Sequence, residues 1–158
     1  VEALEGEQRN DAAARLVAWL AGYVSHANRA DPEVADVLPY ASSDGLATVV
    51  ARVCASNRDA QVAAVTASVL ATLAPLAVTR AEEAVDLNRG AASVVMQPAV
   101  LKGVQDRLIA RGLLPEGSAD GLYGDRTAEA VARFQEAAGL ETTGLPDAWT
   151  IFLLQAAQ

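Results

Sequence analysis

The eight residues Asp120-Gly121-Leu122-Tyr123-Gly124-Asp125-Arg126-Thr127 bring together a phenol, a guanidinium, two carboxylates and a hydroxyl. Two glycines flanking the aromatic imply a tightly turned backbone that holds Tyr123 at a defined angle and lets N–H groups approach a ligand closely. A ring with a hydrogen-bonding edge beside a forked cation is equipment for recognition. The candidate ligand-binding residues are therefore Asp120, Tyr123, Gly124, Arg126 and Thr127. Each has a structural reading as well. Tyr123 can fill the core between helices, and Arg126 can stay solvated. Asp120 can stabilise the loop, while Thr127, or Asp125 before it, can cap the helix that follows.

Equipment for catalysis is sparse. Cys54 is the only cysteine and His26 the only histidine, which excludes an intrachain disulfide and a cysteine-based metal site. Cys54 sits in the apolar run Val49–Cys54 as a packing residue, and His26 falls near the end of a predicted helix, on the surface. Zinc needs several ligands of the right type, so no metal and no cofactor is expected. Hydrolysing a glycosidic bond usually takes two positioned carboxyl groups. Glu2, Glu5, Glu7, Asp31, Glu33 and Asp44 lie mostly at chain ends or caps instead. Glu82 and Glu83 are adjacent and point different ways from a helix. There is no nucleotide-binding glycine loop and no nucleophile elbow. No catalytic residue is assigned, and the chain is expected not to be an enzyme.

The net charge of −8 argues against nucleic acid, whose phosphates call for clustered positive charge. Both parts are acidic: residues 1–92 carry 7 basic and 12 acidic side chains, and residues 93–158 carry 5 and 8.

The elements that must position these residues are helical. A hydrophobic fraction of 52% over 158 residues suffices for a core, and 35 alanines with few β-branched or aromatic runs predict an all-α protein. The first helix is expected over Gln8–Asn28, with Ala13, Leu16, Val17, Leu20 and Val24 on one stripe. Trp19 and Tyr23 lie four apart on a neighbouring stripe and read as a core edge. Asp31-Pro32-Glu33 starts a short helix ending before Pro39, and Ser42-Ser43-Asp44-Gly45 opens the next. Ser56 with Asp59 resembles a capping box for a long apolar helix that Pro75 kinks or ends. The stretch 60–79 has no charge and the length of a membrane span. Its polar residues, Pro75 and the spacing of Val62, Val65, Val69, Leu73 and Leu76 make it a core helix instead, so no membrane span is expected. Thr79 with Glu82 caps a last short helix that Gly90 stops.

Residues 1–92 thus read as a helical bundle of unassigned role, with the boundary in Asn88–Ser93 and a second domain over 97–158. No internal repeat is evident. A start at Val1 rather than methionine leads us to expect a trimmed or processed product.

In the second domain Gln97-Pro98 opens a helix bearing Val100, Leu101, Val104 and Leu108, and Gly112-Leu113 closes it. Ala130, Val131, Phe134 and Ala138 line the next, closed by Gly139-Leu140. Gln135 sits beside that stripe, placed to hydrogen-bond the loop backbone. A turn at Thr142-Thr143-Gly144-Leu145 leads to a third helix carrying Trp149, Phe152 and Leu153 inward.

The pattern Val104-Gln105-x-x-Leu108-x-x-x-Gly112, then D-G-L-Y-G-D-R-T-A-E-A-V-A-R-F-Q over 120–135, Gly139-Leu140 and Gly144-Leu145-Pro146-Asp147-x-x-Thr150 resembles the three-helix peptidoglycan-binding domain family. The likeness covers about residues 97–158. One departure is that Leu113-Leu114 stands where an aromatic often follows the first helix in that family.

The resemblance implies a small three-helix bundle and peptidoglycan as partner, through sugar or stem peptide. Tyr123 would lie against either, Arg126 would fork onto a peptide carboxylate, and Asp120 and Thr127 would hydrogen-bond at the rim. It implies a periplasmic, cell-wall or extracellular location in a bacterium. The function expected is a non-catalytic cell-wall binding protein, or the binding portion of an envelope protein, with the N-terminal bundle able to hold a protein partner. The alternatives are a cell-wall hydrolase or its accessory region, and a protein–protein scaffold that reuses the fold.

Overall fold

The computed structural model describes residues 6–30, 32–38 and 43–156. Among them are six α-helices: α1 (Gly6–Ala30), α2 (Ser43–Ser56), α3 (Val62–Leu73), α4 (Pro98–Ala110), α5 (Asp125–Ala137) and α6 (Ala148–Ala156). A hairpin of β1 (Val85–Arg89) and β2 (Ala92–Met96) lies between α3 and α4. The protein is mostly helical, as its alanine content predicts, with this one small sheet added.

Helix α1 packs on α2, and α2 on α3. Leu20 and Val24 are the positions of the α1 stripe that become buried, while Leu16 packs against the core from its edge. Trp19 is 43% exposed, with its ring 5.3 Å from that of Tyr23. Pro75 ends α3 by tightening it into a 3-10 turn at Ala74–Leu76, because its ring nitrogen has no hydrogen to donate.

Three local expectations are corrected. The short helix expected over 32–38 is a turn followed by an isolated bridge: Ala35 N–H donates to Val78 O at 2.7 Å, and Val78 N–H donates to Asp36 O at 2.8 Å. Asn28 clamps the same segment, its amide oxygen accepting from Val37 N–H at 2.8 Å. Asp31, Pro39 and Ser42, used above as helix signals, lie outside the described residues. Secondly, α3 begins at Val62 behind Gln61, and Ser56 instead ends α2.

Thirdly, the helix expected to run from Thr79 to Gly90 is the first arm of the hairpin. Leu87 and Met96 are 2% exposed and alternate with exposed Asp86, Asn88 and Val95, the two-residue period of a strand. Arg89 pairs with Ala92, leaving Gly90-Ala91 as the turn, and Gly90 supplies a φ of +61° at its first position. The segment Asn88–Ser93 is therefore the tip of a hairpin whose arms pair across it.

Helix α6 lies against α2, α3 and α4, and the 3-10 turn packs on α4 with Leu76 against Gly103. Leu46, Val49, Leu73, Leu101, Leu108, Ile151 and Leu154 belong to one continuous apolar cluster. Polar contacts join the same surfaces. The Arg52 guanidinium of α2 lies 5.2 Å from the Trp149 ring centre. Arg111 donates to Leu154 O at 2.9 Å, satisfying a carbonyl of the last α6 turn.

Candidate ligand-binding site

The loop between α4 and α5 carries the candidate residues, and a buried glutamine shapes it. Gln105 on α4 is 1% exposed. Its Nε2 faces Asp120 Oδ1 at 3.0 Å, Leu122 O at 2.9 Å and Thr127 Oγ1 at 3.1 Å. Its Oε1 accepts from Gly121 N–H at 2.8 Å. One amide thus holds both ends of the loop. Gly121 has φ +74°, and a Cβ there would stand 2.8 Å from Pro98 O, so both conformation and space require glycine.

The same construction recurs one helix later. Gln135 on α5 is fully buried, with Nε2 facing Thr143 Oγ1 at 3.0 Å, Leu145 O at 2.9 Å and Thr150 Oγ1 at 3.1 Å. Its Oε1 accepts from Gly144 N–H at 2.8 Å. Gly144 has φ +73° and its closest backbone neighbour is Ala128 O, as Gly121 has Pro98 O. Asp120-Gly121-Leu122 followed by Thr127 corresponds position by position to Thr143-Gly144-Leu145 followed by Thr150. The expectation of no internal repeat is overturned. The repeat is short and its spacing from each glutamine differs, so it shows only once the shared hydrogen-bond pattern is seen. The expected bond from Gln135 to the loop backbone is present.

Between Leu114 and Thr127 the loop encloses an open hollow of about 430 Å3. All five candidates line it: Asp120, Tyr123, Gly124, Arg126 and Thr127. Leu122, 69% exposed, adds an apolar lip, and Asp125 and Ser118 add polar groups that sequence reasoning did not select. Thr127 does not cap α5. The N-cap is Gly124, with no side-chain cap bond, and Thr127 is buried one turn in, holding Gln105.

Tyr123 is half-buried, and its hydroxyl donates to Gly144 O at 2.8 Å, tying the first corner to the second. Its ring is thus a wall of the hollow whose polar edge is already engaged. Burial pushes the phenol's pKa up, against the opposing charge of Arg89. The Asp120 carboxyl is held below its ordinary value, first by the Leu122 N–H and then by the Gln105 amide. The opening lies at the first glycine corner and not at the second, where Arg89 passes over Gly144.

Cys54 is half-buried and His26 exposed on separate helices, α2 and α1. Among the described residues no group of three or more His, Cys, Asp or Glu is gathered to hold a metal. No helix among them is long and apolar enough to cross a membrane.

This clasped three-helix arrangement is the geometry for which a family comparison gives a name. Residues 99–154 match the family model of a peptidoglycan binding domain. The C-terminal part of the chain is therefore similar to the peptidoglycan-binding family over those residues. The match runs from the second residue of α4 through α5 to Leu154 in α6, and leaves α1 to α3 and the hairpin outside it. No curated protein and no solved structure matches the chain significantly.

Proposed function

We propose that the protein is a non-catalytic binding protein of the bacterial cell wall, and that the hollow at the first glycine corner takes a piece of peptidoglycan. The observation that carries this reading is the convergence of Tyr123, Arg126, Asp120 and Leu122 on one open hollow inside the matched segment. Tyr123 offers a ring face to a sugar or a stem peptide, Leu122 an apolar lip, and Arg126 a fork for a carboxylate.

The carboxylates of the hollow favour binding over hydrolysis. A glycosidase acid has to hold its proton near neutral pH, which takes a pKa raised by apolar surroundings. Asp120 is shifted the other way, because two donors hold its charged form. Asp125 is 94% exposed and pairs with Arg89 at 3.5 Å. Such a protein works at the cell wall, and the reading places it in the cell envelope.

Co-sedimentation of the full chain with purified peptidoglycan sacculi tests the reading. The wild type should pellet with saturable affinity, and Arg126→Ala should weaken binding about tenfold, as expected for a lost hydrogen bond to a charged group. A folded wild type left in the supernatant, or R126A at unchanged affinity, overturns it.

A further inference from the structure

Arg89 is the last residue of β1 and lies outside the matched segment. Its side chain nevertheless reaches the hollow's back wall. Arg89 Nη1 is 3.5 Å from Asp125 Oδ1, and Asp125 lines the hollow. Its Cδ and Nε pass over Gly144 so closely that a Cβ there would stand 3.2 Å from each. Gly144 O is the acceptor of the Tyr123 hydroxyl, which also lines the hollow through its ring. One guanidinium from the hairpin thus meets Asp125 and the corner that fixes Tyr123.

The hairpin is built to deliver this side chain. Buried Leu87 and Met96 anchor its inner face, and Gly90 turns the chain directly after Arg89. The bare α-carbon of Gly144 supplies the room. A planar guanidinium can lie across a glycine while keeping a carboxylate partner, which the point charge of lysine does less well.

We propose that Arg89 is a positioning residue for the hollow, holding Asp125 and the Tyr123–Gly144 corner in one arrangement, so that this chain's binding unit begins at β1 rather than at α4. The inference rests on the reading of the hollow as a binding site. The charged groups facing the phenol are Arg89 from β1 and Asp125 from α5.

The test uses the full chain carrying Tyr23→Phe and Tyr40→Phe, which leaves Tyr123 as the only tyrosine. Arg89→Ala and Arg89→Lys are compared in sacculus binding, thermal midpoint and alkaline titration of tyrosine absorbance. R89A should bind about two- to fivefold more weakly, the scale of an exposed ion pair, at an unchanged midpoint. Its tyrosine should titrate at higher pH than in the parent, and R89K should restore the titration and part of the affinity. If R89A melts early, Arg89→Met, which keeps the stem without the charge, replaces it. Parent and R89A binding equally, or a titration that does not move, overturns the inference. A parent that does not bind sacculi sinks the proposed function, while the titration still decides whether Arg89 governs Tyr123.

Discussion

Replacing Gln105 by leucine isolates what the amide contributes, because leucine is of similar size and carries no polar atom. The substitution leaves Gly121 N–H without its acceptor and takes the donor from Asp120, Leu122 O and Thr127. Asp120 and Leu122 are exposed and can turn to water. Gly121 and Thr127 are buried, and each buried polar group left unpaired costs about 1–3 kcal/mol. Better burial of leucine offsets part of the sum, giving about 3 kcal/mol net. For a chain of this size that lowers the thermal midpoint by about 6–12 °C. Urea unfolding of wild type and Q105L, extrapolated to water, measures the difference. Gln135→Leu should cost at least as much, since Gly144, Leu145 and Thr150 are all buried. A Q105L protein within about 0.5 kcal/mol of wild type, the scale of ordinary surface substitutions, would refute the view that the amide holds the loop.

Three further outcomes follow from the loop and from the core. The folded-state pKa of Asp120 lies below its ordinary 3.8, so its stabilising contribution is complete above that value and is lost as pH falls through the lower folded-state value. Asp120→Asn keeps an acceptor and cannot titrate, so its acid unfolding limb below pH 3.8 should be flatter than that of wild type. Superimposable limbs would refute the assignment. Leu154, 1% exposed on α6, belongs to the cluster shared with α2, α3 and α4, and Leu154→Ala should cost about 2–5 kcal/mol. Because the core is continuous, unfolding should remain a single transition, followed identically by Trp19 on α1 and Trp149 on α6 in single-tryptophan variants. Separate midpoints for the two probes would show that the parts unfold independently.

What was legible in the residues is what depends on short-range spacing. Apolar stripes three and four apart mark α4 and α5, and the glycines at 112 and 139 mark where those helices stop, with φ of +68° and +67°. The loop residues Asp120, Tyr123, Gly124, Arg126 and Thr127 could be chosen together because they are consecutive or nearly so, and they line one hollow. Long-range pairing was not legible. Ala92–Met96 and Val85–Arg89 carry only a five-residue alternation each, and a cap-like Thr79…Glu82 pair competed with it. Glu82 N–H in fact donates to Gln97 Oε1 at 3.0 Å, a contact fifteen residues away that no local rule anticipates.

The two glutamines show the same division from the other side. An amide is the one uncharged side chain end that can accept from a glycine N–H and donate to carbonyl and hydroxyl oxygens at once. A loop whose glycine must adopt positive φ has an inward N–H and carbonyl with no helix or sheet partner, and burying them unpaired is costly. Placing glutamine on the preceding helix solves this for the loop 120–127 and again for 143–150. Any sequence that pairs a glutamine on an apolar helix stripe with a following [DT]-G-L-x-x-x-x-T therefore has a physical reason to fold in this way, whatever fills the intervening loop. The two intervals differ here, fifteen residues from Gln105 to Asp120 and eight from Gln135 to Thr143, and the extra length of the first is the strip from Leu113 to Ala119 that borders the hollow. The duplicated clasp provides the rigid frame, and the longer copy provides the opening.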